Sequence, residues 1–318
     1  MSSKPITISA ATISSRLALS ICAVLCISCG GDKSSHEQPD DSNSDHRQPL
    51  LMTVNYPLQA MAKAIAGDNF TVTLPVLPGD PAFWQPDAQT IIEYQQADRI
   101  LCNGAGYARW LRTASLPEDR LVDTSASFRE ELIATQGLRH SHGPDAAHDH
   151  GAKATTTWLD MRQATAQANA IRKVMLTLLP ASAKSSQAQQ LEQRFADMAA
   201  QLADYDQRLM TIGQRLDGAP LLYSHPVYQY LQRAYRLNGR ALDWEPDQAP
   251  TPPQWRQLHT LLAQHPARLM LWEAEPLAAT RERLEDMGIT IMVFSPAANR
   301  PKSGDFWTAM AGNIGALE

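Results

Sequence analysis

Residues 185–216 constrain the fold of this chain more than any other stretch. They contain no proline and one glycine, Gly213. Leu191, Phe195, Met198, Leu202, Tyr205, Leu209, Ile212 and Leu216 recur every three or four residues, which puts them on one face of an α-helix. The spacing predicts a single helix of about 30 residues, roughly 45 Å long. Such a helix is either a coiled-coil arm or a rigid strut between two globular parts, and its flanks favour the strut.

Strand and helix patterns alternate on both sides of it. Before it, residues 50–54, 70–77, 99–102 and 121–123 read as strands. In 70–77, Val72, Leu74 and Val76 share one face. Residues 56–66 and 87–96 have helical spacing, a helix starts over 107–112, and another runs from Thr157 to the stop at Pro180. Beyond the strut, strands are expected over 220–223, 240–244, 269–272 and 289–294. Helices are expected over 227–235, 255–263, 277–287 and 305–317. The alternation predicts an α/β protein of two lobes, each a parallel sheet covered by helices, joined by one long rigid linker helix. The domain boundaries are 50–184, 185–217 and 218–318.

The first 28 residues are a leader. Lys4 and Arg16 precede an apolar run, 17–27, too short to span a membrane comfortably. Ser28–Cys29 then offers a lipidation point at Cys29, with plain secretion as the alternative. Residues 29–49 are polar and read as a flexible tether. One lipid anchor holds a protein at a membrane surface without a spanning helix. Of four cysteines, only Cys102 lies in the globular part, within an apolar strand, so an internal disulfide is not expected. The formal charge is −5, and the leader carries no acid, so the mature chain is more acidic still. That balance argues against nucleic acid as a partner and suits a cation.

Four of the nine histidines fall in residues 139–151, RHSHGPDAAHDHG: His140, His142, His148 and His150, with Asp145 and Asp149 among them. Short His-rich tracts bind d-block metals. Elsewhere, ligands of parallel α/β sheets gather at the carboxyl ends of strands. That rule selects Asp80 and Trp84 after the second strand, Thr156 after the His-rich loop, His225 after 220–223, Glu273 after 269–272, and Ser295 after the last strand. His225 ends an apolar strand, and Pro226 and a Tyr-bearing helix follow. A carboxylate at Glu273, next to Trp272, is costly unless paired, hydrogen-bonded or on a cation. Structural roles for both, as capping or ion-pairing residues, stay open here.

Several of these segments carry a resemblance. They are the Pro78-Gly79-Asp80-Pro81 turn with Trp84 and Pro86, the stretch NGAGYARWL over 103–111, and the His-rich loop leading into Trp158-Leu159-Asp160. SHPVYQYL over 224–231, the strand ending at Glu273 and the strand before Ser295 complete the set. Over about 50–318 the chain resembles the zinc/manganese solute-binding proteins, periplasmic and of the cluster A-I type, of metal-uptake ABC transporters. The resemblance implies two α/β lobes on a long helix, metal bound in the cleft between them, and delivery to a membrane permease. It implies a monomer in the periplasm or cell envelope, with no enzymatic activity. Where the family usually places two histidines and an aspartate, this chain has Ala82, Thr156 and Ser295, while His225 is kept.

The expectation is therefore a Zn(II) carrier, with Mn(II) less favoured given the histidine content. Its rebuilt site would join His225 and Glu273 to His140, His142, His148 or His150, or to water, because zinc takes four ligands. Asp80, Trp84 and Thr156 would line the cleft. The alternative is a zinc buffer, or a carrier of another solute, with a degenerate cleft. An enzyme is disfavoured. Residues 140–145 are similar to the His-x-His-x-Asp-His pattern of zinc hydrolases but fail at the spacing, and no His-Glu-x-x-His or Gly-x-Ser-x-Gly is present.

Overall fold

A computed structural model describes residues 47–79, 81–135, 153–181 and 184–318. The leader, Cys29, most of the tether, Asp80 and the four loop histidines lie outside the described residues.

Two four-stranded parallel sheets form the architecture. The first contains β1 (Leu50–Thr53), β2 (Thr71–Thr73), β3 (Arg99–Cys102) and β4 (Leu121–Asp123) in the order β2-β1-β3-β4. The second contains β5 (Pro220–Tyr223), β6 (Asn238–Ala241), β7 (Leu269–Trp272) and β8 (Thr290–Val293) in the order β6-β5-β7-β8. The helices α1 (Tyr56–Ala66), α2 (Ala88–Gln96) and α3 (Met161–Leu178) belong to the first lobe. The helices α5 (Gln229–Tyr235), α6 (Pro252–Gln264), α7 (Ala278–Asp286) and α8 (Phe306–Leu317) belong to the second. Parallel strands need long crossovers; α1, α2, α5, α6 and α7 supply five of them, and 3₁₀ turns carry the chain from β3 to β4.

Between the lobes runs α4, Lys184–Leu216. Leu191, Met198, Leu202, Tyr205, Leu209 and Ile212 are buried on its inner face, while Phe195 and Leu216 are half-buried. The main apolar core is continuous across both lobes, from Leu51 and Ile100 through the α4 face to Leu221, Phe306 and Ile314. A second cluster in the second lobe holds Trp244, Trp255 and Trp272.

Five local expectations change. The strand expected over 70–77 stops at Thr73, and Val76 is 91% exposed. Two prolines, Pro75 and Pro78, lack the N–H that a longer ladder requires, so β2 stays a short edge strand. The segment expected to start a helix over 107–112 forms only a 3₁₀ turn at Arg109–Arg112. The helix expected from Thr157 is interrupted at Asp160. Its carboxylate accepts from Arg162 N at 3.1 Å and caps α3, leaving Thr157–Leu159 as a 3₁₀ turn. The strand expected over 240–244 runs instead over Asn238–Ala241, with Gly239 packed against the Tyr223 ring, where a Cβ would come within 2.0 Å. Residues 47–49, expected in the tether, are pinned: Arg47 pairs with Asp98 at 2.8 Å, and Pro49 O accepts from Thr71 N at 3.0 Å.

Candidate functional site

In each sheet the strand order reverses between the two central strands, opening a crevice at their carboxyl ends. The two crevices are filled differently. In the first lobe Asn55 follows β1 and Asn103 follows β3. Asn55 Nδ2 donates to Asn103 Oδ1 at 3.1 Å, and Asn103 Nδ2 donates to Thr155 O at 2.9 Å. Gln167 Nε2 donates to Thr124 Oγ1 at 3.0 Å beside them. These buried amides satisfy one another, so this crevice is closed by structure.

In the second lobe the same two positions hold His225, after β5, and Glu273, after β7. The imidazole is 16% exposed, and both ring nitrogens are sealed from solvent. Glu273 Oε1 lies 3.9 Å from Nδ1. On the other side of the ring, Asp243 Oδ1 lies 3.4 Å and Glu245 Oε1 3.7 Å from Nε2. These separations exceed a direct N–H···O bond of about 2.7–3.2 Å, and they set three carboxylates around one imidazole. The local field attracts a cation.

The chain positions these groups by alternation. Leu242 N donates to Tyr223 O at 2.8 Å and Trp244 N to Ser224 O at 2.9 Å, so the backbone past β6 stays locked to β5. Successive side chains then point to opposite faces. Trp244 turns into the core against Trp255 and Trp272, with ring centroids 4.9 and 6.0 Å away. Its neighbours Asp243 and Glu245 turn towards His225. Glu273 follows the buried Trp272, and its N–H donates to Ser224 Oγ at 3.4 Å. Asp243 and Glu245 were not among the residues selected from sequence. The acid–Trp–acid alternation at 243–245 is the signal that points to them, and the surrounding Pro-rich stretch reads as a link instead.

The other selected positions do structural work. Thr156 is buried, and its hydroxyl donates to Val227 O across the lobes at 2.5 Å. Trp84 stacks edge-on against Trp110, with centroids 5.9 Å apart, and Ala82 packs on the main core. Ser295 Oγ accepts from Ala297 N at 3.2 Å, while the Asn313 amide bonds the Ser295 N–H and carbonyl at 3.0 and 2.7 Å. Among the described residues, no three His, Cys, Asp or Glu side chains stand placed to hold a metal ion.

Two parallel α/β lobes on a long helix, with a charged crevice at one switch point, define a bilobed solute-binding protein. The chain belongs to the family described as zinc-uptake complex component A, periplasmic (ZnuA), whose model matches residues 51–318. The metal-dependent lipoprotein YcdH from Bacillus subtilis is similar in fold, with 20% identity and a TM-score of 0.68, covering 85% of this chain and 98% of that one. The Zn(II)-bound ZnuA-like domain of AdcA from Streptococcus pneumoniae shares 17% identity at a TM-score of 0.69, with the same coverage. The periplasmic zinc-binding protein TroA from Treponema pallidum shares 19% at 0.64, again with 85% and 98% covered. No curated protein sequence matches. As a family member, the chain is a solute-binding component of a metal-uptake ABC transporter of the periplasm or cell envelope, not an enzyme.

Proposed function

We propose that this protein captures Zn(II), in preference to Mn(II), at an interlobe cleft site lined by His225 and Glu273, and delivers it to a membrane permease. The supporting observation is the His225 imidazole among three carboxylates at the switch point of the second sheet. In this reading His140, His142, His148 and His150 collect zinc at low affinity and pass it inward, with Asp80, Trp84 and Thr156 as cleft-lining residues. Residues 1–28 direct export, Cys29 carries the lipid anchor, and residues 29–49 tether the lobes 50–184 and 218–318, joined by the linker 185–217, as a monomer.

The test is zinc titration against a chromogenic chelator, using the intact mature chain, His225→Ala and a version lacking 139–151. One tight site is expected in the intact chain. It is lost in His225→Ala and survives loop deletion, which removes only weaker binding. Loss of all binding on loop deletion, with none lost in His225→Ala, would overturn the cleft site.

A second reading, a carrier of another solute or of a metal complex, draws on one further feature. A groove of about 660 Å³ beside Pro226 is lined by Arg233, Arg236 and Arg240, with no acidic residue. It suits a small organic anion. Zinc binding that is only weak and wholly loop-dependent would favour this reading, or that of a zinc buffer.

A further inference from the structure

We infer that, at this cleft, the cargo ion takes its protein ligands from the second lobe, His225 Nε2, Asp243 and Glu245, with Glu273 orienting the imidazole from its Nδ1 side. This division of labour rests on the metal-carrier reading above and assigns its ligands.

Two donors that share a zinc ion at about 2.0–2.2 Å each, in tetrahedral arrangement, stand about 3.4 Å apart. Asp243 and Glu245 already stand 3.4 and 3.7 Å from the same nitrogen. The three side chains do not yet surround one point, but their backbones are fixed by the β5–β6 pairing and by the buried Trp244 between the acids. Asp243 is 54% and Glu245 36% exposed, so both carboxylates can close on an ion by rotation about side-chain bonds. The first lobe offers no replacement at the two family positions: residue 82 is alanine, and the Thr156 hydroxyl is spent on Val227 O.

Glu273 has a different part. A metal-bound histidine commonly gives its other N–H to a carboxylate, which fixes the tautomer. Glu273 faces Nδ1, and its own backbone is held by Ser224. A proton kept on Nδ1 puts the ring's metal-binding lone pair on Nε2, the side of Asp243 and Glu245. The resulting set is one imidazole, two carboxylates and water. It is harder than a three-imidazole site, so the preference for Zn(II) over Mn(II) is narrower.

The test uses the full mature chain, titrated with Zn²⁺ and with Mn²⁺, and X-ray absorption at the zinc edge with substoichiometric zinc, so that only the tight site is filled. Asp243→Asn/Glu245→Gln, isosteric and at exposed positions, is expected to weaken zinc binding at least about 100-fold. Glu273→Gln is expected to weaken it about 10–100-fold and to shift the His225 tautomer seen by ¹⁵N NMR. The absorption edge should fit one imidazole with oxygen neighbours. Tight binding unchanged in the double variant, or an edge fitting two or more imidazoles, overturns this ligand set and leaves the carrier reading standing. Absence of a tight site in the intact chain overturns both.

Discussion

His225 shows how much a single side chain depends on its neighbours. On a neutral strand end the same histidine would read as a capping group; the three carboxylates around it are what the proposed cation site rests on. Cys102 is the converse case. It is buried in β3, and burial pushes its thiol up to about 12. The neutral thiol thus favours the folded state below the ordinary cysteine pKa of about 8.5, and that contribution is lost as pH rises towards the folded value. Native protein at pH 8 should leave Cys102 unreacted with a chromogenic disulfide reagent over minutes, and denatured protein should react at once. Rapid native labelling would show that β3 opens locally. At this scale the places of His225 and Glu273 at strand ends were legible because each comes just after an apolar strand. The approach of Asp243 and Glu245 to His225 was not, because it comes from the pairing of β5 with the chain past β6, a contact between distant residues.

Elements were legible where their signals were local. The apolar stripe of α4 and its uninterrupted length are written in neighbouring residues, whereas the cap at Asp160, which starts α3 later than the spacing predicts, was missed. The edge strand β2 was misjudged because alternation at Val72, Leu74 and Val76 imitates a longer strand that no partner completes. Gly213 is the element-scale feature whose reason appears only in three dimensions. A Cβ there would come within 2.1 Å of the Tyr235 carbonyl oxygen, so the glycine lets the end of α5 approach α4. Elsewhere in a helix, Gly→Ala adds stability of about 1 kcal/mol. At 213 the close approach reverses the sign, and Gly213→Ala should destabilise by about 1–3 kcal/mol. Chemical denaturation reads this as a lower midpoint at unchanged slope. A raised midpoint would mean that the two helices separate easily.

Direct hydrogen bonds and a shared core join the two lobes. Besides the continuous core, Thr156 Oγ1 bonds Val227 O at 2.5 Å, Trp158 Nε1 bonds Pro296 O at 2.7 Å, and Tyr230 Oη bonds Ala154 O at 3.1 Å. Tyr56 N bonds Ala298 O at 3.1 Å, and Asn299 Nδ2 bonds Leu77 O at 2.7 Å. These contacts lie along several parts of the interlobe seam, and α4 backs them. A binding protein that closes on its ligand by hinge motion needs a seam that parts, and a seam tied in this way resists such motion. Loading an ion on the second lobe should therefore leave the overall shape alone. Small-angle scattering of the mature chain is expected to give superimposable curves with and without saturating zinc. Thr156→Val removes one tie and leaves the Val227 carbonyl without its partner. It should cost about 1–3 kcal/mol in stability, the penalty for such a stranded group. Its scattering curve should then begin to respond to zinc, because the lobes gain freedom that loading can remove. Compaction of the unsubstituted chain on zinc addition would show instead that the seam opens in solution, and that the first lobe also reaches the ion.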